Sequence, residues 1–146
     1  MGLRTKIKKF FYTRKFSKKE YSLDIKEKNI LITGANSGIG LSLTNQLLKL
    51  NNKVLATYKE NCSNLEQIEN KNLTIVKYDQ RQINVSENLN EIIKKKSIDI
   101  IFNCAGVFGG SYEDQQIKNL NFKKFQEVLL VNSISILNIM KIILNN

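Results

Sequence analysis

Residues 29–40 read Asn-Ile-Leu-Ile-Thr-Gly-Ala-Asn-Ser-Gly-Ile-Gly (NILITGANSGIG), and this stretch decides the fold. Asn29–Thr33 is a short apolar run that ends in turn residues, the pattern of a buried strand. Residues 39–50 then set Ile39, Leu43, Leu47 and Leu50 at helical spacing. A glycine triplet gains meaning only in such a setting, directly after a strand and directly opening a helix. Gly34 permits the tight turn, Gly38 lets backbone approach a pyrophosphate with no Cβ in the way, and Gly40 allows close helix–strand packing. The N–H groups of the helix start, with its partial positive charge, then face a diphosphate, with Asn36, Ser37 and Ile39 in the same turn.

Working outward, Lys53–Tyr58 (KVLATY) reads as a second strand and residues 73–78 (LTIVKY) as a third, with a linker and a short helix in residues 60–70. Ser86 is placed to cap a helix running to about Lys96, with Leu89, Ile92 and Ile93 inward. Residues 98–103 (IDIIFN) read as a fourth strand. A loop with Gly106, Gly109 and Gly110 leads to a long helix over Phe122–Leu144. Strands alternating with helices imply an α/β fold, a parallel sheet covered on both faces.

Composition bounds the function. A chain of 146 residues, 42% hydrophobic and 25% charged, suits one globular domain. No stretch is expected to approach the roughly 18 apolar residues of a membrane span, and the first twenty residues lack the apolar core of a secretory signal. Cys62 and Cys104 read as free thiols of a reducing cytoplasm, the expected location. With no His, His-based metal sites and Ser-His-Asp catalysis are excluded.

The net charge of +10 is unevenly placed: residues 1–28 hold ten Lys/Arg against three Asp/Glu, and residues 29–146 hold thirteen against ten. Two units follow, a basic arm (1–28) and a dinucleotide-type α/β domain (29–146). In the arm, Leu3, Ile7, Phe10 and Phe11 form one apolar stripe flanked by Lys6, Lys8, Lys9 and Arg14. Such a stripe fits a helix on an anionic membrane surface or on a partner, and a solvated, frayed leader fits equally. Because the charge stays in the arm, and 20 Lys and 19 Asn are what an AT-rich genome would write, no nucleic-acid partner is expected.

The Thr-Gly-x-x-x-Gly-x-Gly spacing of residues 33–40 resembles that of the short-chain dehydrogenase/reductase family. Three further landmarks stand in that family's order. Asp79 follows the third strand, where the resemblance implies a contact with adenine. Asn103-Cys104-Ala105-Gly106 follows the fourth, beside the adenosine half of the cofactor. Asn132 stands in the next helix, where the family's catalytic Asn holds a proton-relay water. Two positions depart from the pattern: Cys104 replaces a second Asn, and Gln80 stands where an aliphatic residue is usual.

The resemblance implies a Rossmann-type doubly wound sheet, expected here to be truncated after the fourth strand and its following helix. It also implies an NAD(P)-dependent oxidoreductase acting on an unknown small carbonyl or alcohol. The second strand ends in Thr57-Tyr58-Lys59 with no carboxylate before Glu60, so Lys59 suits the 2′-phosphate of NADP(H), and NAD is the less favoured cofactor. The family's catalytic Tyr-x-x-x-Lys is not found. Four residues after Tyr12, Tyr21, Tyr58, Tyr78 and Tyr112 stand Phe16, Ile25, Cys62, Gln82 and Gln116. This chain alone is therefore expected to be inactive, and its fourth strand, left at an edge, to be completed by a second copy or a complementing chain. The alternatives are a non-catalytic dinucleotide-binding module that docks on a partner, and a membrane or nucleic-acid adaptor working through the arm.

Overall fold

The structure is a computed structural model that describes residues 25–82 and 84–146. The apolar stripe of the arm falls outside the described residues.

Four strands form one parallel sheet in the order β3-β2-β1-β4. They are β1 (Asn29–Thr33), β2 (Lys53–Tyr58), β3 (Leu73–Lys77) and β4 (Ile100–Asn103). Register runs Leu31 to Leu55 and Leu31 to Ile101, with Ala56 opposite Ile75. The fourth strand starts two residues later than the apolar pattern suggests. Asp99 is the reason: its N–H donates to the Asn29 carbonyl, and its carboxylate accepts the Asn29 N–H at 2.8 Å.

Successive residues of a strand face opposite sides, and the core divides accordingly. Ile30, Ile32, Val54 and Ala56 face α1 (Gly38–Lys49) and α2 (Ser63–Glu66), meeting Leu47, Leu48 and Leu65. Leu31, Leu55 and Val76 face the other way. Against them pack α3 (Glu87–Lys95), through Leu89 and Ile93, and the last helix, through Ile139. Both faces of β1 are thus covered, as a doubly wound sheet requires.

Three helices differ from their sequence patterns. In α1 the inward stripe is Gly40, Thr44, Leu47 and Leu48, while Ile39 is 75% exposed. Gly40 lets the helix axis sit close to the β1 turn, which rotates Ile39 outward. Ser86 stands at the N-cap of α3, but its hydroxyl makes no capping bond; its carbonyl accepts the Asn90 N–H instead.

The long helix is composite: α4 (Phe122–Leu129), a π-helical turn (Leu130–Ile134) and α5 (Ser135–Leu144). Asn121 caps its start by accepting the Lys124 N–H. By length and composition alone Phe122–Leu144 is apolar enough to cross a membrane, with a mean hydropathy of 1.8, which corrects the expectation that no stretch comes near. It seats Val131, Ser135 and Ile139 inward at intervals of four residues, and only 17% of the segment is buried.

At the N-terminal ends of the strands a fully buried Asn52 ties three segments together. Its amide donates to the carbonyls of Ile25 and Leu47, and its Oδ1 accepts the Lys28 N–H.

A candidate dinucleotide cleft

The opposite ends of the strands build a cleft of about 180 Å³, lined by Gly34, Ser37, Lys59, Asp79, Ala105 and Gly106 among others. It opens between β1 and β4, where the chain turns from one side of the sheet to the other. That switch point is where open α/β sheets take ligands. A larger groove of about 420 Å³ runs between α3 and α5, away from these residues.

Backbone geometry makes the floor. Gly34 has φ +61°, and a Cβ there would lie 2.7 Å from the Ala105 Cα. The β1 and β4 turns thus touch through main chain. Gly40 sits so close to the Gly34 carbonyl that any side chain would collide with it. Gly38 is different: φ is +51°, and a Cβ would meet nothing within 4 Å. The space it leaves is open, beside N–H groups at the start of α1.

Side chains then hold the two turns in register. Thr33 Oγ1 donates to Asn103 Oδ1 at 2.7 Å and accepts the Ala105 N–H at 3.1 Å. Asn103, exposed at the end of β4 and outside the cleft lining, is therefore held beside the β1 turn through its side chain. Asn36 faces the loop after β2, where its Oδ1 accepts the N–H groups of Asn64 and Leu65. Asn132 locks onto the loop after β4: its Oδ1 accepts the Val107 N–H at 2.9 Å, and its Nδ2 donates to the Val107 carbonyl at 3.0 Å. It bonds a lining residue and is not itself part of the lining.

Charges gather at the end of the cleft formed by Lys59, Asp79 and Arg81. Lys59 pairs with Glu60 at 2.9 Å, and that bond holds the Glu60 carboxyl below its ordinary value. Asp79 is held low as well, chiefly by hydrogen bonds from the Arg81 guanidinium. Arg81 lies 3.7 Å from Glu127 on α4. Burial raises the Cys104 thiol, so the residue that replaces a second Asn is a neutral wall.

Sequence reasoning did not find Arg81 or Ser135, and it marked Gln80 only as a departure from the family pattern, with no role. Arg81 lines the cleft with Lys59; its signal was a cation two residues beyond Asp79. Gln80 is buried beneath the cleft and donates to Ser135 Oγ at 2.7 Å. Its polarity at a buried strand end was the clue.

The arrangement fits a dinucleotide: an open notch at Gly38, a helix start for diphosphate, and cations and an acid at one end. Residues 28–146 match the family described as short chain dehydrogenase. The chain is 27% identical over 128 residues to the 3-oxoacyl-[acyl-carrier-protein] reductase FabG of Buchnera aphidicola, covering 85% of this chain and 51% of that protein. A Burkholderia multivorans short-chain dehydrogenase/reductase with bound NADP superposes with a TM-score of 0.70 at 21% identity, over 82% of this chain and 53% of that one. A Leptospira borgpetersenii short chain dehydrogenase with bound NAD+ gives 0.63 at 24% identity, over 86% and 48%. The chain spans about half the length of the relatives it matches.

Proposed function

The chain belongs to the short-chain dehydrogenase family, and on that premise we propose that it forms the cofactor-binding part of an NADP(H)-dependent oxidoreductase for a small carbonyl or alcohol. The observation that carries the reading is the cleft at the β1/β4 switch point, with its open notch at Gly38 and cationic adenine end. When bound, the cofactor supplies a hydride donor or acceptor. The residues of this chain hold it.

Gly34, Ser37, Gly38 and Gly40 shape the diphosphate turn, and Ile39 covers its outer side. Asp79 and the turn of residues 103–106 flank adenosine, with Ala105 and Gly106 as its wall. Lys59, together with Arg81, meets the 2′-phosphate. For that, Lys59 exchanges Glu60 for the phosphate, a stronger partner in charge. Asn132 keeps one Oδ1 lone pair and one Nδ2 hydrogen beyond its bonds to Val107, enough to hold a relay water.

Titration of the chain with NADPH and NADH, followed by nucleotide fluorescence, tests this. NADPH is expected to bind about tenfold tighter, and Lys59→Glu to reverse the order, since one charge-assisted phosphate contact is worth about 1.5–3 kcal/mol. Equal binding, or a preference unchanged by Lys59→Glu, would refute the NADP assignment.

A further inference from the structure

We propose that Gln80 is a positioning residue, which ties the floor of the cleft to the π-turn that aims Asn132. The inference deepens the role given to Asn132 above and rests on that reading only for what the aim serves.

Gln80 is 4% exposed. Its Nε2 lies 2.7 Å from Ser135 Oγ, 3.2 Å from Asn103 Oδ1 and 3.5 Å from the Val131 carbonyl. The amide orientation is fixed by its partners. Ser135 Oγ donates to the Val131 carbonyl at 2.9 Å, so it must accept from Gln80. Asn103 Oδ1 is an acceptor already taking the Thr33 hydroxyl, so it too requires a donor. The nitrogen therefore faces all three groups.

Those groups belong to the two structures that must be kept in register. Asn103 ends β4 and leads directly into Cys104, Ala105 and Gly106, which line the cleft. Val131 and Ser135 bracket Asn132 in the π-turn. There the Ser135 N–H reaches back five residues to the Leu130 carbonyl, so the Val131 carbonyl loses the amide that an α-helix would offer it. The Ser135 hydroxyl and the Gln80 amide meet it instead. Asn132 lies inside this turn, and both ends of its carboxamide meet Val107.

The arrangement is costly for stability. Gln80 Oε1 is buried and meets no donor, and a buried amide left half satisfied destabilises a fold. An aliphatic side chain would avoid the cost. What Gln80 contributes is orientation.

Hydrogen exchange of the full chain, read at the Val107 amide against the β1 amide of Leu31, separates aim from stability. In Gln80→Leu the Val107/Leu31 exchange ratio is expected to rise about fivefold to tenfold, the effect of losing roughly one neutral hydrogen bond. Ser135→Ala, a one-atom deletion that still reports if Gln80→Leu does not fold, is expected to act the same way. The double variant is expected to add little. A ratio unchanged in Ser135→Ala, or effects that simply add, would overturn the proposal. Failure of the wild-type chain to bind NADPH would refute the proposed function and leave this exchange result standing.

Discussion

The tips of β1 and β4 and the surface of the last helix lie on the same molecule and are finished to different standards. At the tips Gly34 meets Ala105 and Gly40 meets Gly34 main chain on main chain, and Thr33, Asn103 and Ala105 satisfy one another. Along the last helix and the loop before it, Phe108, Ile117, Phe122, Leu137 and Leu144 stand exposed. At Gly34 and Gly40 the first region tolerates no added atom, whereas the second leaves large apolar side chains in the open. Sequence determines geometry most sharply where backbone meets backbone, and least where a side chain meets solvent.

The largest expected effect breaks the first region. Gly34→Ala combines a left-handed backbone with a 2.7 Å approach to Ala105, and should cost about 2–4 kcal/mol in urea unfolding. Gly38→Ala sharpens the contrast. With open space around it, only the backbone term of about 1–2 kcal/mol applies, yet dinucleotide affinity should fall, because the added methyl occupies the approach to the diphosphate. Stability and affinity measured side by side tell the two glycines apart.

A smaller effect concerns pH. The Arg81 pair depresses the Asp79 carboxyl, so its contribution is complete above the ordinary Asp value of about 4 and is lost as pH falls through the lower folded value. Arg81→Leu should therefore lower stability at neutral pH only slightly, as for exposed pairs. The difference should vanish in strong acid. Smallest of all, Leu137→Lys on the exposed helix face should change stability by less than about 0.5 kcal/mol. It should still lower the weight-average mass in sedimentation if that face pairs with another chain.

Much of the first region was legible in the sequence. The apolar run 29–33, the glycine turn and the second strand announce themselves because strands buried on both sides are written in unbroken apolar residues. The inward face of α1 was not, since Gly40 and Thr44 form it and hydropathy points to Ile39 instead. The π-turn leaves no trace in a periodicity that runs on through residues 130–134. Ser135 could not be found either, because its partner Gln80 lies 55 positions away, and Arg81, although paired with Asp79 two residues before it, gains its place in the cleft only when the fold brings Lys59 alongside. Local pattern names the elements, while long-range hydrogen bonds choose the side chains that matter.

Asn52 sits at the entry end of the strands and the cleft at the exit end. Five residues of β1 set these two poles about 16 Å apart. The described chain therefore enters the fold at Ile25, the whole length of β1 away from the cleft, so a tether attached there would not reach the cleft's mouth without crossing the sheet.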